Sequence, residues 1–220
     1  MAVREGAGIE IITGVYGNGT PAQNEMVNRI LGADNAAERF AVYFHWYNPM
    51  HELGHGIMWF HAAERPHMVD EEMLVNQFAV AYWMHYGEAD KLDLLKETVA
   101  YALAQFTRPA PAGMSHTDYA RAKWGTDELF NFNNYGWFQM HCVAEILRNP
   151  IGLSAALSQM GIHGIVEQPR KTLCYTPGEN TQERIAREAA EILRGWGVAL
   201  PPVRITFDDD PNRHMCVIDE

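Results

Sequence analysis

Apolar residues along this chain form short β-branched runs and longer stretches with helical spacing. Residues 8–16 are rich in Ile and Val and lead into Gly and Asn at 17–19, which predicts a strand followed by a turn. Residues 21–31 have helical spacing and stop before Gly32, which predicts a helix. Residues 40–47 form an aromatic and β-branched run whose pattern fits either a strand or a helix.

Two consecutive helices are predicted next. Asn48 and Pro49 are typical of an N-cap and a first helical position, so a helix should begin there and extend to about Glu64, before the next proline. Asp70 is the expected N-cap of the following helix, which should end at Tyr86. The apolar positions of this second helix point in nearly every direction, which indicates that it is buried.

The rest of the chain is predicted to be mainly helical. Helices are expected at 89–106, 128–147, 153–160 and 182–196, and a final strand at 201–207 before the acidic residues 208–210. Several Pro and Gly residues interrupt 107–125, which should be a loop with a single helical turn. The pattern as a whole favours an α+β fold that is mostly helical, with a few strands.

Composition and charge narrow the classes of function. A chain of 220 residues fits one domain, 1–220, and a hydrophobic content of 47% is enough to build a core, which excludes global disorder. There are 17 basic and 28 acidic residues, so the formal net charge is -11. This charge repels phosphate backbones, and no basic patch offsets it, so we expect no nucleic-acid partner.

Other sequence features bear on the compartment. No apolar stretch approaches the ~20 residues needed to span a bilayer, so no membrane association is expected. Glu5 lies where a signal peptide would have its apolar run. The three cysteines cannot all pair within one chain and none has CxxC spacing, which favours reduced thiols in a cytoplasmic protein. The oligomeric state stays open.

The residues with the most specific chemistry are His51, Glu52 and His55, which form an HExxH motif. On a helix the two histidines lie about 40° apart on one face and one turn apart along the axis. One zinc ion could therefore reach both imidazoles, and Glu52 could hold a metal-bound water and take its proton as a general base.

The same helix also has a predicted core face. Leu53, Ile57 and Phe60 lie on the side opposite the histidines, so the core face and the metal face should separate. Gly54 costs helix stability, and its missing side chain would permit close approach of a neighbour or a substrate.

A catalytic zinc site needs a third protein ligand and an open position. Glu72, at the start of the next predicted helix, is our choice, and Glu71 is the rival, about 100° around that helix. Asn76 lies one turn after Glu72. It either orients a ligand through a hydrogen bond or is a buried polar residue that the backbone satisfies.

Residues 131–142 concentrate polar groups within an aromatic helical pattern. Tyr135, Gln139 and Cys142 share one face of this helix, whereas His141 lies on another. Hydrolysis at a zinc site needs a hydrogen-bond donor for the developing oxyanion, and Tyr135 and His141 are the candidates. The alternative is that both are packed core residues.

Together these segments resemble a known family. HExxH at 51–55, followed by the residues Glu-Met-Leu-Val-Asn-Gln-Phe-Ala at 72–79, is similar to the pattern of ImmA/IrrE-type metallopeptidases, HExxH and then Glu-x-x-Ala-Asn-x-Phe-Ala. The resemblance covers about residues 48–83, and Val75 replaces the expected alanine. It implies a zincin-like fold and peptide-bond hydrolysis. Within the single domain, the helical pattern of the whole chain places the metal site at 48–86 and a helical part at 88–200. Zinc would be held by His51, His55 and Glu72, with Glu52 as the base.

Three hypotheses of function follow from these residues. The first is a zinc hydrolase that cleaves a peptide or a small-molecule amide. The second is a non-heme iron enzyme, or another metalloenzyme, that uses two histidines and one carboxylate on a small molecule. The third is a catalytically inactive metal-binding module. The HExxH motif favours the first, because an oxygenase has no evident use for the base Glu52.

Overall fold

Helices dominate the structure, a computed structural model that describes residues 2–5, 8–62, 64–176 and 181–207. The described strands are β1 (Ala2–Glu5), β2 (Gly8–Thr13) and β3 (Val203–Phe207). The described α-helices are α1 (Pro21–Leu31), α2 (Ala36–Phe40), α3 (Asn48–His61), α4 (Met68–Tyr86), α5 (Ala89–Gln105), α6 (His116–Lys123), α7 (Asp127–Phe130), α8 (Phe132–Arg148), α9 (Leu153–Gln159) and α10 (Thr181–Gly195). A π-helix (Ala41–Tyr47) joins α2 to α3. The prediction of a mostly helical fold with a few strands is therefore confirmed.

The three strands form one mixed sheet in the order β1-β2-β3. β1 pairs antiparallel with β2, and β2 pairs parallel with β3, with Ile9 opposite Val203. Ile9 and Ile11 are buried while their neighbours are partly exposed, which is the period-two pattern of a strand with one covered face. The sheet contacts α3 through β1 and β2. The sequence predicted the start of β2 and the end of β3 at their observed residues, whereas the predicted strands extend three residues past the end of β2 and begin two residues before β3.

The segment before α3 is helical without a break. Phe40, Ala41, Tyr47 and Asn48 all have right-handed helical dihedral angles, and the Asn48 N–H donates to Tyr43 O, five residues back. The predicted N-cap at Asn48 is therefore wrong, and of the two options for residues 40–47 the helix is observed. An Asn-Pro pair is compatible with a helix interior here because proline follows a π-helical turn, where the α-helical hydrogen-bond register is already interrupted.

The start of α4 also differs from the prediction. His67 caps this helix, since its Nδ1 accepts a hydrogen bond of 3.2 Å from Val69 N. Asp70 lies within the first turn and accepts a hydrogen bond of 3.2 Å from Arg121 Nη1 of α6. The prediction that Asp70 is the N-cap is therefore wrong. The predicted burial of this helix is confirmed, because α3, α8 and α9 pack around it.

Side-chain caps explain two further differences. The Ser115 side chain accepts a hydrogen bond of 3.0 Å from Asp118 N and begins α6, which has two turns where the sequence predicts one. Asn131 Oδ1 accepts a hydrogen bond of 2.9 Å from Asn134 N, which begins α8 and separates it from α7. The single helix predicted at 128–147 is thus two helices.

Glycine brings α4 close to α3. A Cβ added at Gly54 would lie 2.9 Å from Val75 Cβ and 3.2 Å from Phe78 Cδ1. A Cβ at Gly56 would lie 2.5 Å from Ile9 Cδ1 in the sheet. The expectation that Gly54 permits close approach of a neighbour is confirmed, and the neighbour is the helix that carries Glu72.

We expect Gly54→Ala to lower the free energy of unfolding by about 1–3 kcal/mol, because the added methyl group overpacks the α3–α4 contact. This cost should exceed the helix-propensity gain of about 1 kcal/mol that alanine provides. The measurement is chemical denaturation beside Gly195→Ala, a helical position with no atom within 4 Å of the added Cβ, where no loss is expected. Equal stability of the two variants would contradict the close α3–α4 contact.

The structure bears on three sequence predictions, which concern membrane-spanning segments, the cysteines and the acidic residues 208–210. Among the described residues, no helix is both long enough and apolar enough to cross a membrane. Cys142 is buried and Cys174 is exposed, and both are free thiols. The third cysteine and the acidic residues 208–210 lie outside the described residues.

Candidate metal centre

The HExxH residues lie together at the middle of α3. One potential ligand atom from each of His51, Glu52 and His55 falls within a cluster whose atoms are all within 4.8 Å of one another. Their exposed fractions are 6%, 9% and 8%. The metal face is thus nearly as buried as the core face of Leu53 and Ile57, because other helices cover it. The side of α3 that carries the histidines is therefore not an exposed face, although the sequence predicts it to be separate from the core face.

The choice between Glu72 and Glu71 depends on which histidine nitrogen each one meets. Glu72 Oε2 lies 3.3 Å from His51 Nε2 and 3.6 Å from His55 Nε2. Glu71 Oε1 instead lies 2.7 Å from His55 Nδ1, and Glu71 Oε2 accepts a hydrogen bond of 2.8 Å from Arg65 Nε. The structure therefore places Glu72 beside the Nε2 atoms of both histidines, and it places Glu71 beside the Nδ1 atom of His55.

Two of the three separations between the proposed ligand atoms match those of a tetrahedral zinc site. Zinc bonds to nitrogen and carboxylate oxygen are about 2.0–2.2 Å long, so neighbouring ligand atoms in a tetrahedron are about 3.3–3.5 Å apart. The two separations from Glu72 Oε2, 3.3 Å and 3.6 Å, are close to this edge length. The donor set of two imidazoles and one carboxylate is also one that zinc prefers.

Hydrogen bonds on the far side of each imidazole select the nitrogen that is available to a metal. His51 Nδ1 lies 2.9 Å from Asn76 Oδ1, and His55 Nδ1 lies 2.7 Å from Glu71 Oε1. Both partners are acceptors, so each Nδ1 carries a hydrogen and each Nε2 is the nitrogen left to bind a metal. Such outer partners orient a ligand and raise its basicity.

Asn76 has no exposed surface, and its amide makes three hydrogen bonds. Its Oδ1 accepts hydrogen bonds from His51 Nδ1 and, at 2.6 Å, from the Tyr47 hydroxyl. Its Nδ2 donates to Gln139 Oε1 at 3.0 Å. Of the two interpretations of Asn76, the structure supports the one in which it orients a histidine.

Two side chains of α8 meet Glu72. The Tyr135 hydroxyl donates to Glu72 Oε1 at 3.0 Å, and Gln139 Nε2 donates to Glu72 Oε2 at 2.8 Å. Sequence reasoning placed Gln139 on the same face as Tyr135 but gave it no role. The sequence feature that could have identified Gln139 is its position four residues after Tyr135, because this spacing puts both side chains on one side of the helix.

Among the described contacts, His141 has none with this cluster, so its role as an oxyanion donor stays a prediction without support from the structure. Its ring stacks on His116 with centroids 5.4 Å apart, and it contacts the Trp137 ring at 4.6 Å. Burial lowers the pKa of His141, and the neighbouring His116 lowers it further. The physical reason is helical geometry, since two residues after Gln139 the chain has turned about 200° around α8.

The charges of the cluster are strongly coupled. Burial alone would raise the pKa of Glu72, but His55 and His51 hold it well below its ordinary value. Burial alone would lower the pKa of His55, but Glu72 and Glu71 raise it to about 10. In the absence of a metal, His55 therefore carries a proton at neutral pH, and a metal ion must displace that proton to bind.

Glu52 is the remaining polar residue of the motif. Asn48 Nδ2, one turn earlier on α3, donates to Glu52 Oε1 at 3.3 Å. The residue that the sequence suggested as a helix cap therefore contacts the candidate base instead. Glu52 neighbours His51 in the chain but projects about 100° around the helix from it.

A separate cavity of about 620 Å³ lies beside α2, the π-helix and α5. Its lining includes Val42 and Trp46 of the π-helix, Leu94 of α5 and Tyr175. None of the residues that surround Glu72 lines this cavity. Tyr47, the next residue of the π-helix, bonds to Asn76 and so belongs to the candidate metal centre.

The candidate metal centre thus draws on four elements: α3 supplies two histidines and a glutamate, α4 supplies a glutamate and an asparagine, α8 supplies a tyrosine and a glutamine, and the π-helix supplies a tyrosine. No protein-family model, no curated protein and no solved structure matches this chain.

Proposed function

We propose that this chain is a zinc-dependent hydrolase that cleaves a peptide or amide bond. One observation carries the proposal: Glu72 Oε2 lies 3.3 Å and 3.6 Å from the Nε2 atoms of His51 and His55, while acceptors hold both Nδ1 atoms. Two histidines and a carboxylate are a common ligand set of hydrolytic zinc sites, which keep a further position for substrate or solvent.

Each residue of the centre has a distinct role in this proposal. Zinc held by His51, His55 and Glu72 would polarise the scissile carbonyl and make nearby water more acidic. Glu52 accepts the proton of the attacking water and passes it to the leaving nitrogen. The Asn48 amide, which bonds to Glu52 Oε1, keeps the carboxylate of the base in place.

A zincin-like fold forms part of the same proposal. The mixed sheet packs on α3, and α4 crosses α3 closely enough to present Glu72 to the histidines. The histidine helix and the glutamate helix are the two elements of residues 48–83 that carry the resemblance to ImmA/IrrE-type metallopeptidases, and their close contact supports this part of the proposal. Glu52 beside His51 favours hydrolysis over oxygenase chemistry, which uses two histidines and one carboxylate without such a base.

Elemental analysis and an activity assay test this function. We expect about one zinc per purified chain, hydrolysis of peptide or arylamide substrates, loss of activity with a chelator and recovery with added zinc. Bound iron in place of zinc, without hydrolysis, would favour the oxygenase-type alternative. Bound zinc without hydrolysis across peptide and small-amide libraries would leave a metal-binding module and contradict the hydrolase.

A further inference from the structure

Both oxygens of the Glu72 carboxylate are hydrogen bonded to α8. The Tyr135 hydroxyl donates to Oε1 at 3.0 Å, and Gln139 Nε2 donates to Oε2 at 2.8 Å. Oε2 is also the oxygen that faces His51 and His55. We propose that Tyr135 and Gln139 are positioning residues, which make Glu72 a metal ligand through Oε2 alone and so keep one coordination position open. This inference rests on the proposed function.

The two oxygens differ in which of them faces the histidines. A carboxylate oxygen has two lone pairs. Gln139 and Tyr135 each use one lone pair of one oxygen, and Oε2 is the oxygen that lies 3.3 Å and 3.6 Å from the histidine Nε2 atoms. For Oε1 to bind the same metal, the carboxylate would have to rotate and weaken the bond from Tyr135. A buried hydroxyl that loses its acceptor costs free energy, so the bond from Tyr135 opposes this rotation.

The Tyr135 ring is itself held in place by aromatic neighbours. Its centroid lies 5.4 Å from that of Phe130, 6.1 Å from that of Phe138 and 6.5 Å from that of Trp124. The hydroxyl also accepts a hydrogen bond of 2.9 Å from Gln139 Nε2. With its oxygen occupied and its ring packed on several sides, the hydroxyl can direct its hydrogen only to Glu72.

The orientation of the Gln139 side chain is set by its hydrogen bond with Asn76. Asn76 Nδ2 donates to Gln139 Oε1 at 3.0 Å, so the Gln139 amide nitrogen must face Glu72. Asn76 in turn accepts from His51 Nδ1 at 2.9 Å. Two of the three proposed ligands, His51 and Glu72, are therefore held by one continuous set of hydrogen bonds that includes Tyr135.

This geometry also changes the role predicted for Tyr135. A tyrosine hydroxyl has one hydrogen, and here that hydrogen is donated to Glu72 Oε1. It cannot be donated to a developing oxyanion at the same time. Tyr135 therefore acts through Glu72 rather than on the substrate.

The coordination number provides the test. With Glu72 bound through one oxygen, three protein atoms and one solvent position make a four-coordinate site, whereas binding through both oxygens makes a five-coordinate one. Cobalt(II) reports this difference, because its visible absorption is several-fold stronger in four-coordinate than in five-coordinate sites. The experiment uses the full chain with cobalt in place of zinc, and it reads the visible spectrum and the cobalt affinity.

We expect an intense four-coordinate spectrum from the unmodified chain. Tyr135→Phe removes the donor and keeps the ring, so its cobalt absorption should fall several-fold while cobalt stays bound. Tyr175→Phe is the matched control, since it also removes a tyrosine–glutamate hydrogen bond, of 2.8 Å to Glu188, but outside the metal centre. Its spectrum should equal that of the unmodified chain.

The outcomes separate this inference from the function on which it rests. A four-coordinate spectrum in Tyr135→Phe, equal to that of the unmodified chain, would overturn the positioning role while the metal site stands. Should Tyr135→Phe fail to fold, Gln139→Met removes both the bond to Glu72 Oε2 and the bond that occupies the Tyr135 hydroxyl oxygen, so the hydroxyl is no longer held toward Glu72 Oε1 and the absorption should fall there too. An unchanged spectrum in that variant would overturn the role equally. No cobalt binding by the unmodified chain would overturn the proposed metal site and this inference with it.

Discussion

Glu52→Gln is expected to keep zinc and to lose about 10²–10⁴-fold in turnover, which is the usual contribution of a general base. Glutamine retains the size of the side chain and one acceptor oxygen, so the contact with Asn48 and the packing of α3 should survive. It cannot accept a proton at neutral pH, so the transfer from water to the leaving nitrogen is lost. The measurements are zinc content, thermal unfolding and turnover on a peptide or amide that the unmodified chain cleaves.

The matched control is Glu97→Gln, an exposed glutamate on α5, which should leave turnover, zinc content and stability unchanged. Two results would contradict the role of Glu52. Normal turnover of Glu52→Gln would remove it from the mechanism. Loss of zinc from this variant would make Glu52 a ligand or a structural residue, and the proton transfer would need another base.

Zinc binding should depend most strongly on His51, His55 and Glu72. Alanine at any of these three positions removes a proposed ligand, and we expect most of the zinc to be lost, with affinity reduced by more than the roughly 10–100-fold that outer partners typically contribute. Glu71→Ala removes the acceptor of His55 Nδ1 but no proposed ligand, so its loss of affinity should fall within that 10–100-fold range. Competition with a chromogenic chelator measures all four affinities.

Glu71→Ala is also the control that decides the ligand assignment, since Glu71 and Glu72 are adjacent and both buried. Abolished binding in Glu71→Ala together with normal binding in Glu72→Ala would show that the third ligand is Glu71. Unfolding of each metal-free variant should be measured in parallel, because removal of Glu71 leaves Arg65 without its partner and lowers stability by a separate route.

Local patterns predicted the elements that depend on local physics. The strand at 8–16, the helix at 21–31 and the strand at 201–207 were predicted to within a few residues, because period-two alternation, helical spacing and glycine stops are properties of short segments. The relation of His51, Glu52 and His55 was equally predictable, since one helical turn places them without reference to the rest of the chain.

Helix boundaries were less predictable, because the same residues suit more than one local structure. Asn48 and Pro49 match a helix start, yet they lie inside a helix that continues from the π-helix. Asp70 matches an N-cap, yet His67 caps α4 and Asp70 pairs with Arg121. In both cases the packing of the surrounding helices selected one of two locally acceptable structures.

The sequence by itself determined that two histidines and a glutamate share one turn of a helix, and that a second glutamate-bearing helix follows. Only the tertiary structure decided that Glu72 faces the histidine Nε2 atoms, whereas Glu71 contacts His55 Nδ1. It also decided that Tyr135 bonds to Glu72, whereas His141 stacks on His116. These choices depend on the rotation of α4 and α8 about their own axes relative to α3. Residues one or two positions apart on a helix point about 100° or 200° away from each other, so the packing of the helices determines which side chain meets the histidines.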